Sequence, residues 1–296
     1  MDFHTVKSPG DLDRISKFLA MHYQPGNRDC NWFYPIWEHS YTHPYTKPED
    51  LDLVGIWEDD DDIVAAALIE TMRHDIGVCT HPEHRHLRSA MLEYAETTLY
   101  GTNDTGGKFL NVFVHEFDED LNAIAASRGY TRNKKNDRPM SAFQIPGGMA
   151  QRQLPEGFRY VSLADEVNLE KMNRALHRGF NHQGEPDNDD IAGRKVMVSG
   201  PNFKPHLTTA IEAPDGNWVS YCGMWHDEDN HFGYVEPVAT DPDYRRQGLG
   251  TAAVLESIRK CGADGADTAY VWTDLPFYLS FGFKVEHTHL CWTKYL

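Results

Sequence analysis

Two arginines, Arg245 and Arg246, stand just ahead of two glycines, Gly248 and Gly250, in the stretch Asp241-Pro-Asp-Tyr-Arg-Arg-Gln-Gly-Leu-Gly-Thr-Ala-Ala-Val254. The glycines remove the side chains that would keep an anion away from backbone N–H groups, and the arginines add positive charge. A helix that starts behind the turn aims its positive end at the same place. The chemistry is that of a cradle for a phosphate or pyrophosphate. The dinucleotide fingerprint has a different glycine spacing, and the Walker loop needs a Gly-Lys-Ser/Thr that is absent here. Taken alone, such a turn can also simply start a helix that lies close on a strand.

The cradle needs a strand before it and a helix after it, and both are readable. Tyr234-Val-Glu-Pro-Val-Ala-Thr240 reads as a strand. From Thr251 to Cys261 the apolar residues Val254, Ile258 and Cys261 recur at helical spacing. Arg259 and Lys260 suit the last turn, and Gly262 is expected as the C-terminal cap.

The order Arg245-x-x-Gly248-x-Gly250 resembles the R/Q-x-x-G-x-G/A loop of the GNAT acyltransferase superfamily, and Phe277-Tyr-Leu-Ser-Phe-Gly-Phe283 resembles that superfamily's closing F-Y-x-x-x-G-F element. The resemblance implies acetyl-coenzyme A as co-substrate, bound through Val238, Ala239, Thr240, Arg245, Arg246, Gln247, Gly248, Leu249, Gly250 and Thr251. It also implies a strand that splays from its neighbour, so that free backbone groups near Val238 meet the pantetheine arm and the thioester oxygen. The family's N-x-x-A arrangement is missing from Tyr270-Val-Trp-Thr-Asp-Leu-Pro276, which leaves Thr273 and Asp274 as substitutes.

Direct acyl transfer from a thioester to an amine needs a held coenzyme, a deprotonated amine, a donor to the carbonyl oxygen and an acid for the departing thiolate. Glu236, two residues before Val238, is the candidate base, because alternation sends both side chains to one face. A surface glutamate beside Pro237 is the other reading. Tyr278 is the candidate acid, against the alternative of a buried tyrosine that only packs a helix on the sheet. The loop after the helical run Leu169 to Leu176 offers Phe180, Asn181 and His182 as an acceptor wall, or is merely a polar loop running to Asn188.

The first half carries a degraded copy of these motifs. His81-Pro-Glu-His-Arg-His-Leu-Arg-Ser-Ala90 lies against 241–250 with a shift of 160, and Ala125-Ala-Ser-Arg-Gly-Tyr130 against 278–283 with a shift of 153. In that alignment Gly248 becomes Arg88, whose side chain is expected where a phosphate would approach. Tyr278 becomes Ala125 and Glu236 becomes Ile76. The fold class expected is therefore α+β (mixed α/β), two GNAT-like domains in tandem, each a mixed, mostly antiparallel twisted sheet flanked by helices. Residues 1–148 form the degenerate domain and 149–296 the catalytic one, joined by the Pro- and Gly-bearing segment 144–157.

The chain has 296 residues and a net charge of −17, which argues against nucleic acid or an anionic membrane as partner. Asp59-Asp-Asp-Asp62 sits between two strand-like runs, Leu53 to Trp57 and Ile63 to Ile69, and reads as a solvated hairpin tip. Five dispersed cysteines without a C-x-x-C pair, and no secretory signal, point to the cytoplasm. His81, His84 and His86 lack metal-ligand spacing and are read as surface residues, and no metal is expected. The aromatic cluster Trp32-Phe-Tyr-Pro-Ile-Trp37 with Tyr41 and Tyr45 suits a core, an interface or a cleft. The function these features imply is an acetyl-coenzyme A dependent N-acetyltransferase that acts on the primary amine of a small molecule in a ternary complex, as a monomer or homodimer. The alternative is a coenzyme A sensor without turnover.

Overall fold

The computed structural model describes residues 1–187 and 190–296. The first elements are β1 (Asp2–Thr5), α1 (Pro9–His22), α2 (Tyr34–Thr42), α3 (Pro48–Leu51), β2 (Gly55–Asp59), β3 (Asp62–Ile69) and β4 (Asp75–Thr80). Next come α4 (Arg88–Thr98), β5 (Gly101–Thr102), β6 (Lys108–His115), α5 (Glu119–Ser127), β7 (Thr131–Arg132) and β8 (Arg138–Gln144). The rest are β9 (Arg159–Ser162), α6 (Leu169–Gly179), α7 (Asp190–Met197), β10 (Thr209–Glu212), β11 (Trp218–Asp227), β12 (Phe232–Thr240), α8 (Leu249–Ala263), β13 (Thr268–Val271), α9 (Pro276–Leu279) and β14 (Lys284–Tyr295).

The chain forms two compact units, Met1–Met140 with Val285–Leu296, and Ser141–Lys284. This division departs from a single cut near Gly148. The segment 144–157, expected as a joint, belongs to the second unit because its apolar residues have somewhere to go. Ile145, Met149 and Leu154 pack against the core under α8, and the Ile145 side chain fills the space beside Gly262.

Each unit contains a mixed sheet flanked by helices, and the strand order is the same in both. In the first it is β1-β2-β3-β4-β6-β14, with β5 beside β6 and β7 beside β14. In the second it is β9-β10-β11-β12-β13 followed by residues 141–144 of β8. Strand β4 runs parallel to β6, and β12 to β13. In the first unit β2 and β3 turn through Asp60 and Asp61, both at positive φ, so the acidic run is the tip of a tight hairpin. The aromatic run resolves into core: Trp32, Phe33, Tyr34 and Trp37 are buried, whereas Tyr45 is exposed.

In the second unit β11 is buried along its whole length, because α8 covers one face of the sheet and α6 the other. The α8 helix is longer than its apolar spacing predicts. Gly262 lies inside it and Asp264 is the C-cap; the left-handed turn falls on Gly265 instead.

Strand β12 carries a bulge that alternation cannot anticipate. Cys222 pairs with Val238 and Met224 with Val235, so Gly223 alone faces both Glu236 and Pro237. Val235 and Val238 consequently contribute to the same core face, and a simple two-residue count from Val238 does not fix where Glu236 points. A side chain at Gly223 would collide with the Glu236 carbonyl. Gly223→Ala is expected to cost about 1–3 kcal/mol, read as a lower urea midpoint; an unchanged midpoint would contradict this tight bulge.

Candidate coenzyme-binding site

Strand β12 pairs with β13 only from Phe232 to Tyr234 and then runs on to Thr240 without that neighbour. The Asp241 N–H donates to the Val219 carbonyl (2.9 Å), which makes Thr240 and Ser220 a non-hydrogen-bonded pair. The N–H and C=O of Thr240, and of Val238 two residues earlier, therefore face away from β11 into the split. A cavity of about 680 Å³ opens there, and Val238, Thr240, Arg246, Gly248, Thr251 and Tyr278 are among the residues that line it.

The turn above the split is fixed to the end of α6. Asp241 is fully buried and accepts from Arg178 Nε (2.5 Å) and Nη2 (3.1 Å). Burial works against its charge, but the Arg178 guanidinium holds its carboxyl below the usual carboxylate range. Arg245 donates from Nη2 to the Gly179 carbonyl (2.7 Å), the last residue of α6, and from Nε to the Thr240 carbonyl (3.0 Å). Arg245 lines the cavity as well, with two of its nitrogens engaged in holding the loop. Arg246 sits at φ 62 and Gly248 at φ 80, so the chain turns left-handed twice before Leu249 begins α8. Space above Gly248 is open apart from Arg152 Nη2, 4.0 Å from where a Cβ would stand. Gly250 serves close approach: a Cβ there would lie 2.8 Å from Thr240 Oγ1 and 3.3 Å from the Phe277 ring.

Tyr278 lines the cavity and is 7% exposed, set among Phe277, Phe281 and Phe283. Burial, with the neighbouring Glu236 carboxylate and then the Cys222 sulfur, pushes its phenol well above its ordinary value. Glu236 is half-buried and close enough to Tyr278 for that electrostatic effect, but it is not part of the cavity lining. Ala239, Arg245, Leu249 and Gly250 complete the predicted lining, while Gln247 is exposed and outside it. Phe180, Asn181 and His182 are exposed on the turn after α6 and do not line the cavity either; Asn188, the end of that loop, lies outside the described residues. Thr273 and Asp274 are likewise absent from the lining. Sequence reasoning missed Asp241, Arg178 and Arg152. A buried Asp ahead of the Pro242 turn leaves a signal, an aspartate at a turn start, but its partner 63 residues away does not.

The second unit is thus a mixed sheet whose parallel pair splits beside an arginine-glycine turn. Residues 170–283 match the sequence model of the Acetyltransferase (GNAT) family. A GCN5-related N-acetyltransferase from Sphaerobacter thermophilus superposes with a TM-score of 0.62 at 14% identity, over 99% of this chain and 95% of that one. A tandem GNAT protein from the clavulanic acid biosynthesis pathway does so at 0.66 and 12%, over 99% and 98%. A GNAT-family acetyltransferase from Colwellia psychrerythraea gives 0.56 and 10% over the whole of both chains. At such identities the likeness is one of fold. No curated protein sequence matches significantly.

The corresponding strand end of the first unit is built differently. Strand β4 pairs with β6 only at Asp75 and Ile76, and the His81 N–H to Val64 carbonyl bond turns the Thr80 backbone away from β3. Here the chain itself occupies the split. Thr80 N–H donates to Asn31 Oδ1 (2.8 Å), Asn31 Nδ2 donates to the Thr80 carbonyl (3.3 Å), and Trp32 N–H donates to Cys79 Sγ (3.5 Å). The Trp32 indole lies where a side chain on Gly77 would be. Burial raises the Asp29 carboxyl to about 6 even though it accepts from the Gln24 and Asn31 N–H groups.

The loop after β4 is also closed. A 3-10 turn, Pro82–Leu87, runs directly into α4, with Arg88 in right-handed helical geometry. Arg88 does not project where an anion would approach. It is 1% exposed, donates to both Asp118 carboxylate oxygens (2.9 and 2.6 Å) and to Thr80 Oγ1 (3.2 Å), and so joins α4 to the N-cap of α5. The histidines are not all surface residues: His81 and His84 are half-buried and line a separate cavity of about 520 Å³, whereas His86 is exposed. Among the described residues no His, Cys, Asp and Glu group is placed to hold a metal ion. Asp118→Asn, which leaves the buried Arg88 charge without its counter-charge, is expected to cost about 3–5 kcal/mol, and the double change Arg88→Met with Asp118→Leu to cost less. Equal unfolding midpoints for wild type and Asp118→Asn would contradict the pairing.

Proposed function

We propose that the chain is an acetyl-coenzyme A dependent N-acetyltransferase for the primary amine of a small molecule, with coenzyme bound by the second unit alone and the first unit a degenerate copy. The observation that carries the reading is the convergence of Val238, Thr240, Arg246, Gly248 and Tyr278 on one cavity. Its chemistry fits the co-substrate: amide-like backbone groups for the pantetheine arm, an N–H near Val238 for the thioester oxygen, and an open glycine turn at a helix start for the pyrophosphate. The first unit offers none of these, since Asn31 already holds the Thr80 backbone.

Tyr278 is the acid in this reading. A phenol raised above its ordinary value of about 10 stays protonated at neutral pH, so its O–H is available to hydrogen-bond the departing sulfur as charge develops there. Glu236 takes the amine proton through water, which its position outside the cavity lining favours over direct contact. The exposed residues Phe180, Asn181 and His182 form the acceptor side, and a net charge of −17 suits an amine that arrives as a cation. The reaction is direct attack in a ternary complex in the cytoplasm, with no covalent enzyme intermediate and no metal.

Purified protein with acetyl-coenzyme A and a panel of polyamines, amino sugars and amino acids should release free thiol. Tyr278→Phe should lower turnover by about 100-fold or more with coenzyme affinity within twofold of wild type. No thiol release with any amine, from protein that binds coenzyme, would overturn the catalytic reading, and unchanged turnover in Tyr278→Phe would remove its role as acid.

A further inference from the structure

The second unit is crowded with acidic partners for its arginines. Arg159, Arg174, Arg178 and Arg259 each hold a carboxylate, as expected in a chain with 45 acidic and 28 basic residues. Three arginines at one turn break this pattern, and Arg245 gives its nitrogens to backbone carbonyls instead. Among the described residues neither Arg152 nor Arg246 has a carboxylate partner, and both stand at the same left-handed turn. Arg246 belongs to the turn and lines its cavity. Arg152 reaches it from 96 residues away in sequence and holds Nη2 4.0 Å from the Cβ position of Gly248.

The approach of Arg152 is built into the fold. Its carbonyl accepts from the Tyr160 phenol (2.9 Å), and its neighbour Gln151 donates from Nε2 to Glu256 Oε1 on α8 (3.0 Å). On either side Met149 and Leu154 pack into the core beneath α8. The guanidinium is exposed and free to reorient, but its backbone is held in place above the turn. An anion seated on the Gly248 and Leu249 N–H groups would lie within reach of this side chain, and Arg245 cannot replace it while its Nε and Nη2 hold Thr240 and Gly179.

We propose that Arg152 is a phosphate-binding residue of the cradle, completing with Arg246 the cationic pair that the sequence motif assigns to Arg245 and Arg246, and that its ligand is the pyrophosphate of coenzyme A. This rests on the functional reading above. The segment from Ser141 to Gly157 then serves as a coenzyme-binding arm of the second unit. Two unpartnered guanidinium groups over one turn suit a group carrying two negative charges, and Arg offers a planar fork for its oxygens.

Calorimetric titration with coenzyme A, dephospho-coenzyme A and pantetheine separates the outcomes. Arg152→Ala should weaken coenzyme A and dephospho-coenzyme A by about tenfold or more and flatten the dependence on ionic strength, with pantetheine binding and the melting temperature unchanged. Arg152→Lys should fall between. A variant that binds coenzyme A within twofold of a binding wild type overturns the inference alone. So does a loss equal for pantetheine, which would mark a structural role, or a loss confined to coenzyme A, which would point to the 3′-phosphate. Wild-type protein that binds no coenzyme A overturns the functional reading and this inference with it.

Discussion

A parallel strand pair that ends after two or three residues leaves backbone N–H and C=O groups that must find partners, and this constraint governs both halves of the chain. In the second unit β12 outruns its pairing with β13 by six residues, from Val235 to Thr240. The bulge at Glu236 and Pro237 bends it, and a cavity opens against Val238 and Thr240. In the first unit β4 leaves β6 in the same way, and the side-chain amide of Asn31 takes both backbone groups of Thr80. A carboxamide is chemically what a pantetheine arm would offer there. One sheet topology thus has two solutions, one that fills its split from within and one that leaves a cavity there.

Charge is divided along the same line. Arg88 in the first unit turns inward to a buried aspartate, where breaking the pair would be costly. In the second unit the buried carboxylate is Asp241, and its partner is Arg178 in the last turn of α6. Asp243 meets the same arginine, and among the described residues Arg246 has no carboxylate partner, so positive charge remains unneutralised where a helix start already favours an anion. Arg245 links the two arrangements by holding the carbonyls of Gly179 and Thr240. Removing side chains at Gly179 and Gly250 lets α6 and α8 close on the strand end; a Cβ on Gly179 would stand 2.5 Å from that of Ala239.

Local features were legible in the sequence because local chemistry determines them. The strand before the turn, the glycine turn, the helix behind it and the acidic hairpin tip all follow from spacing and residue type within about ten residues. The features that were not legible depend on distant partners. Arg88 aligned with Gly248 invites the picture of a blocked site, but Asp118, 30 residues away, draws it inward. Arg245 and Arg246 look interchangeable until Gly179 claims one of them. The single cut near Gly148 failed because β14 and residues 141–144 of β8 each complete the sheet of the unit built mainly from the other half of the chain. Sequence order alone carries no sign of that exchange.

The contrast between an open split and a filled one is tested most directly by counting bound coenzyme. Calorimetric titration of the full chain with coenzyme A should give one site per chain, and Gly248→Arg, which places a bulky side chain at a left-handed position, should give none. Two sites per chain, or one site that survives in Gly248→Arg, would contradict the assignment of the coenzyme to the second unit.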